Sequence, residues 1–547
     1  MRVLWLLLCL ALPSLADAAS YYVHATNGND SSAGTTVENA WRTIAKVNAA
    51  SLSAGDTVYF ARGETWRETL TVPSSGASGN YVTFDAYGSG ALPIISGADI
   101  KANSAFSADS GFAYSASYSL ITNGAMMVWE NGVRLTSRAS QALVQANPGS
   151  FYLTGSTLYV SATDGSDVRS NGKVYEVPGR TVGVYTHGND FTKIRFLHVV
   201  QTSGDDTTYG GIVVSGSDNI VEYVESHNHR RHAVQILSET GVNGNRNIVQ
   251  YSDLYDTWGT LVISVFQQNV ATVTCADNII RYNDIYGGTV DTNSGLLTIH
   301  GADGTHQVLR TRIYGNRLHD SLSSNQAIQF YDVVEVRFYG NWVYGTFSSN
   351  PIYTKTRGSG VFIMANFINM AGVGANIDAV FLQDLAGTRV LHNIFYGQNG
   401  RWAVRFHTNA TNGIVQNNIF HTVSKVINVD ASAQSGFSMN WNDAYNVTAG
   451  ATWGKWGATE YTFANWKSNS SQDANTVEVD PQLPSINTTN WPDSNLFIAR
   501  TSPMYRAGKH AQGARDARGK RYYMGGRPTI GPYEYGVGDS PGERAPR

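Results

Sequence analysis

The chain has 547 residues, with 39 Lys and Arg against 42 Asp and Glu, a formal net charge of -3 and only 15% charged residues. That balance excludes a general nucleic-acid binder, which needs a basic surface to displace counterions. An apolar content of 42% excludes a disordered chain. With 55 Gly and 30 Tyr among so few charges, the composition points to a long, turn-rich β-protein whose length belongs to one elongated fold.

Residues 1–19 read as a secretory signal: Arg2, an apolar run from Val3 to Leu12, then Ala16-Asp17-Ala18 as a small-x-small cleavage site. The run is too short to cross a bilayer, so the expectation is a secreted or periplasmic protein with no membrane span. Cys9 lies within the signal. Cys275 then stands alone, which rules out an intrachain disulfide and reads as a small buried apolar residue. Residues 20–99 are assigned to an N-terminal cap and the first coils. Residues 100–180 interrupt the pattern: Trp129 to Leu135, Gly149 to Tyr152, Thr157 to Val160 and Asp164-Gly165 read as hairpins with Gly turns. They are assigned to a small β insertion that packs beside the main body, with a substrate-facing wall as the alternative.

Residues 181–447 carry an internal repeat. Short alternating strands flank an Asn that recurs as Asn283, Asn316, Asn341, Asn366, Asn393, Asn418 and Asn442, at intervals of about 24 to 33 residues. Earlier coils place Val224 and Ser252 in the same slot. A second strand recurs between these units, for example Leu297-Thr298-Ile299, Ile328-Gln329-Phe330, Ile352-Tyr353-Thr354 and Val404-Arg405-Phe406. Its first and third residues point inward and its second outward. Units this short exclude a propeller blade of 40 to 45 residues. Coils stacked on this pattern make an all-β parallel β-helix, with the Asn amides bonding from coil to coil. Residues 448–547 complete it as C-terminal coils and a closing segment.

Stacked coils bring equivalent residues into columns about 4.8 Å apart. One outward column reads Ser215, Leu237, Val265, His300, Tyr331, Lys355, Gln383, His407, Asp430, and the column two residues earlier reads Val213, Gln235, Ile263, Thr298, Gln329, Tyr353, Phe381, Arg405, Asn428. The later members are polar and titratable. His300, Tyr331 and Lys355 fall on consecutive coils, with Arg357, Arg405, His407, Asp332 and Asp384 around them and Asp303 and His306 in an adjacent loop. Aromatics that stack on sugar faces beside cations that hold carboxylates suit an extended acidic sugar chain. Trp258, Tyr286 and Trp342 are further candidate sugar platforms. The run His227-Asn-His-Arg230-Arg231-His232 reads as an exposed loop. Its His227 and His229 have metal-ligand spacing, but the adjacent arginines oppose a cation.

Three stretches also resemble a known family. Tyr21-Tyr-Val-His-Ala-Thr-Asn-Gly-Asn-Asp30, Trp41-Arg-Thr-Ile44 and Gly55-Asp-Thr-Val-Tyr-Phe60 form the first. Pro73 to Gly79, Phe84 to Gly88 and Pro93 to Gly97 continue it, and Val479-Asp-Pro481, Ser502-Pro503, Ala507-Gly508, Asp516 and Ile530 to Tyr535 close it. These resemble the right-handed parallel β-helix family of secreted polysaccharide-active proteins, which includes uronate lyases, glycoside hydrolases and uronate epimerases. The resemblance implies the fold and a polysaccharide partner. It does not choose a reaction.

The residue mixture favours a lyase acting by β-elimination on a uronate polysaccharide. That reaction needs a neutralised carboxylate, a base for the C5 proton and an acid for the departing oxygen. Lys355 is the expected base, Tyr331 and His300 its acid or base partners, and Arg357 or Arg405 the carboxylate holder. Arg405, His407, Gln329, Tyr353, Asp332 and Asp384 are expected to bind substrate. Calcium is the alternative carboxylate holder, with Asp332, Asp384 and Asp303 as ligands, although no dense acidic loop is present. Asp332 and Asp384, two coils and about 9.6 Å apart, would otherwise serve an inverting hydrolase, whose carboxylates stand about 6.5 to 9.5 Å apart. A non-catalytic carbohydrate-binding solenoid is the remaining reading. The chain is expected to act as a monomer.

Overall fold

The computed structural model describes residues 18–121, 126–204, 210–259, 261–270, 272–288, 295–321, 326–397, 401–448, 452–483, 498–509 and 528–532. The signal segment up to residue 17, Asp516 and Tyr533 to Tyr535 lie outside them. The described residues form a right-handed parallel β-helix. Its coils contribute strands to three long sheets of 13, 12 and 13 strands among the described residues. Sheet I holds strands such as Arg312–Tyr314 and Arg337–Tyr339, sheet II Arg317–His319 and Trp342–Tyr344, and sheet III Gly295–Gly301 and Gln326–Tyr331. A short fourth ladder runs from Cys275–Ala276 to Leu385–Ala386.

From Asn283 to Asn442 each turn from sheet I to sheet II is made by one left-handed residue followed by the recurrent Asn. Gly315 and Gly340 occupy the left-handed position at φ +67° and +62°, and Tyr282, Ala365 and His392 occupy it in other coils. The Asn side chains then bond in series. The backbone N–H of Asn283, Asn316, Asn341, Asn366, Asn393 and Asn418 each donates to the next Asn Oδ1 at 2.9–3.0 Å. Ser252 and Val224 extend the series through Asn283 Oδ1 and Ser252 Oγ. A second ladder, Thr192–Asn219–Asn247–Asn278, runs down the turn into sheet I over the earlier coils.

Inside, one apolar column faces another through the length of the helix, and Cys275 is a buried part of it. Phe395 and Phe420 stack at 5.0 Å and are fully buried. Such a side chain stabilises the fold by about 1.5–3 kcal/mol. Both ends of this column are plugged. At the N-terminal end the helix Ile44–Asn48, capped by Thr43, inserts Ile44 and Val47. At the other end the antiparallel pair Gly454–Trp456 and Thr459–Tyr461 leads into the helix Phe463–Ser470, whose Trp466 is buried. Covering the last strands removes edges that would otherwise template association.

The interruption predicted over 100–180 is a β unit with its own core of Phe106, Phe151, Leu158, Val160 and Tyr175 among others. It hangs on the antiparallel pair Ala98–Lys101 and Tyr175–Pro178. Glu130 is buried in it, held by Lys173, Tyr175 and Thr163.

Asp443, at the C-terminal end of sheet II, is fully buried; Oδ1 accepts the Val479 N–H at 3.1 Å and Oδ2 has no partner. Burial pushes this carboxyl up to about 8, against the pull of its backbone hydrogen bonds. Its folded value therefore lies above the unfolded one of about 3.9. The unfolded chain gives up a proton that the folded chain keeps, so stability falls as pH rises from about 4 towards 8. Asp443→Asn is expected to gain urea resistance relative to the parent at pH 8 and little at pH 4. Equal pH dependence of the two urea midpoints would refute this assignment.

Candidate functional site

The outer face of sheet III changes character along its length. In the earlier coils its central column, Val213, Gln235, Ser264, Thr298 and Gln329, is buried, whereas Tyr353, Phe381 and Arg405 are partly exposed. The register runs Gln235–Ser264–Thr298–Gln329–Tyr353–Phe381–Arg405–Asn428. The neighbouring column runs Ser215–Leu237–Phe266–His300–Tyr331. Two expected members are thereby corrected: Ser264 stands where Ile263 was placed, and Phe266 where Val265 was placed. The strand Ile263-Ser264-Val265 pairs one-to-one with Val234-Gln235-Ile236 on one side and Leu297-Thr298-Ile299 on the other, so the alternation starts at Ile263 and not at Val262.

His300, Tyr331 and Lys355 do come together. His300 pairs with Tyr331 in register. Lys355 N–H donates to Phe330 O, which continues the pairing of Phe330 with Thr354 and sets Lys355 beside Tyr331. The His300 ring lies flat on Phe266, with centroids 4.2 Å apart. Burial depresses its pKa to about 4, so it is neutral at pH 7. Burial pushes Tyr331 up to about 12, so it keeps its proton. Lys355 is exposed. Tyr353 and Phe381 stack at 5.4 Å, giving this stretch an apolar floor.

Arg357 is 67% exposed, and its Nε stands 3.4 Å from Asp332 Oδ1. It reaches over the loop after Gly301, where a side chain at Gly304 would meet its guanidinium. In that loop Asp303 Oδ1 and His306 Nδ1 are 2.9 Å apart. Asp332 is buried, which raises its pKa, partly offset by Arg357 and reinforced by Asp303. Asp332 and Asp384 are equivalent turn residues, both left-handed at φ +47° and +50°. Asp384 accepts from Asn409 at 2.9 Å and from Gln383 at 3.0 Å. Arg405 is internally compensated. Its Nη2 contacts Asp430 Oδ2 and His407 Nδ1 at 3.1 Å each, its Nη1 lies 3.8 Å from buried Asp378, and it sits over the Phe381 ring. His407 Nδ1 and Asp430 Oδ2 are also paired.

No residue of the run from His227 to His232 is exposed, and His229, Arg230 and His232 are buried, contrary to the exposed loop expected. His229 is fully buried between Thr202 and Ser226, with Nδ1 2.8 Å from Thr202 Oγ1 and Nε2 2.9 Å from Ser226 Oγ. His232 is buried in a sheet III strand, and Arg230 donates to Gly204 O. Only His227 reaches the outer face of sheet II, where it meets His198 rather than His229. The ligand atoms of His198, Glu225 and His227 lie within 4.8 Å of one another, a group able to hold a divalent ion. The rings of His227, Tyr255, Tyr286, His319 and Tyr344 stack in one continuous pile at 4.4–4.9 Å. Tyr286 therefore has both faces occupied and offers no sugar platform. Trp342 packs against Phe367 and the C-terminal segment, and Trp258 stacks with Arg134 of the insertion.

No protein-family model matches the sequence, and no curated protein matches it. Among solved structures the chain is similar to XylC in its complex with xylose, at 14% identity and a TM-score of 0.60 over 94% of this chain and 98% of that one. It is also similar to pectate lyase Pel9A, at 13% identity and a TM-score of 0.47 over 96% and 98% of the two chains. The A-module of the Azotobacter vinelandii mannuronan C-5 epimerase AlgE6 gives 12% identity and a TM-score of 0.38 over 80% and 94%. At these identities the likeness is one of fold, which leaves the chemistry to the side chains present.

Proposed function

We propose that the protein is a carbohydrate-active enzyme that cleaves a uronate-containing polysaccharide by β-elimination on the open stretch of sheet III. The observation that carries this reading is the pair of exposed basic side chains, Lys355 and Arg357, beside a protonated Tyr331 and a neutral His300 over an aromatic floor. Arg357 is the better carboxylate holder, because it is 67% exposed and faces the single carboxylate of Asp332, whereas Arg405 is 17% exposed and faces both Asp430 and Asp378. With the carboxylate held, Lys355 serves as the base that takes the C5 proton, and the electrons form the C4–C5 double bond. The C4–O bond breaks, and Tyr331 gives its proton to the departing oxygen. Tyr353 and His407 line the chain's path, and His300 accepts a hydrogen bond from a sugar hydroxyl; Gln329, expected beside them, is buried and donates to Gln326. Hydrolysis by Asp332 and Asp384 is less well supported, since each carboxylate is tied to a neighbouring side chain. The fold shared with XylC, seen with xylose, is in keeping with a saccharide ligand.

Incubation with alginate, pectate and other uronate polymers is expected to raise the ultraviolet absorbance of an unsaturated uronate on one of them. New reducing ends without that chromophore would establish hydrolysis instead, and binding with both polymer length and uronate composition unchanged would establish a non-catalytic solenoid.

A further inference from the structure

We propose that His198, Glu225 and His227, on the outer face of sheet II, form a binding site for a divalent transition-metal ion of the zinc class, distinct from the groove on sheet III. His198 Nε2 and His227 Nε2 face each other at 2.8 Å, and Glu225 Oε1 stands 3.7 Å from the second and 4.0 Å from the first. Zinc bound at about 2.0–2.1 Å in a tetrahedron separates its ligand atoms by about 3.3 Å. The three observed separations straddle that edge, so a change of about half an ångström at each atom closes the site.

The donor set selects the ion. Two imidazoles and one carboxylate suit zinc and its neighbours, whereas calcium and magnesium take oxygen ligands. The donors are already oriented. The His227 ring is stacked on Tyr255 at 4.4 Å, and the Tyr255 hydroxyl donates to Glu225 Oε1 at 2.7 Å, the kind of supporting bond that fixes a ligating carboxylate. The side chains of His198, His227 and Glu225 keep 20%, 15% and 35% of their exposure, which leaves an entry path and a fourth position for water. Arg230 does not oppose the ion, since its guanidinium is turned to Gly204 O. His198 lies on one coil and Glu225 and His227 on the next, so the ion joins two coils close to where the insertion leaves the helix.

Isothermal titration of the chelator-stripped full chain with zinc chloride is expected to show one equivalent bound, and calcium chloride none. Cobalt(II), used as a visible-light probe, is expected to give the strong absorption of a four-coordinate site. Glu225→Gln keeps the side-chain shape and is expected to weaken zinc binding by at least about 10–100-fold, with His227→Ala weakening it similarly. Absence of zinc binding by the parent, or equal affinity in a Glu225→Gln variant of unchanged circular dichroism, would overturn the proposal.

Discussion

Lys355→Ala is expected to remove elimination activity on the uronate polymer while leaving the fold intact. The side chain is exposed on the outer face of sheet III, and none of the core clusters includes it. A surface substitution of this kind usually shifts stability by no more than about 0.5 kcal/mol. A lost general base costs about 100- to 10,000-fold in rate. The predicted signature is therefore a fall in kcat of that size, with KM changed little and the thermal midpoint unmoved. Arg357→Ala should separate from it. The guanidinium is 67% exposed and, among the described residues, is held by the carboxylate of Asp332 alone within 4.0 Å, so its loss is expected to raise KM for the acidic polymer more than it lowers kcat. Full activity in Lys355→Ala would remove the proposed base. If Tyr331→Phe were also fully active, the proton-transfer site would lie elsewhere on the solenoid.

The parallel β-helix was readable because its signal is periodic and redundant. Asn316, Asn341 and Asn366 declare the turn, and the strands on either side alternate around it. The column of His300, Tyr331 and Lys355 follows from that period alone. Parity was harder to read within one strand. In Leu261-Val-Ile-Ser-Val-Phe266 the apolar run Leu261 to Ile263 offers more than one start for the alternation, and only the start at Ile263 turns Ser264 outward and lays Phe266 on His300. The pairing of His198 with His227 was hidden for a different reason. Neither residue is in register with the other; His198 pairs with Glu225 and His227 with Val200, and the rings meet diagonally. Aligning the outward positions of sheet II would have put His198 and Glu225 side by side. It would also have shown Asp253-Leu-Tyr255, Asp284-Ile-Tyr286 and Arg317-Leu-His319 as one repeating face. Sequence spacing also says nothing of ring orientation, which is why Tyr286 reads as a sugar platform and is in fact a member of a closed stack.

Asn341→Ala is expected to be the most destabilising single change in the solenoid short of a core aromatic. Asn341 is 1% exposed, in the middle of the ladder. Its Nδ2 donates to Ile313 O, Tyr339 O and Asn366 Oδ1 at 3.0–3.1 Å, and its Oδ1 accepts from Asn316 N and Nδ2 at 3.0 Å each. Alanine removes the amide but leaves these partners buried. An unsatisfied buried group costs about 1–3 kcal/mol, and Asn366 can still bond in the other direction. A loss of about 3–4 kcal/mol is the expected result, read as a fall in the urea midpoint. Asn341→Asp is an informative companion. It retains the acceptor facing Asn316 but cannot donate to Ile313 O, and it places a carboxylate against carbonyl oxygens unless it binds a proton. Its deficit should therefore shrink as pH is lowered through the acid range, whereas that of Asn341→Ala should not. Unfolding through a partly structured state in either variant is also expected, because coils contact mainly their neighbours and a break in one ladder rung uncouples the stack on its two sides. A single cooperative transition with an unchanged midpoint in Asn341→Ala would mean that strand pairing alone sets the turn and that the side-chain ladder adds no stability.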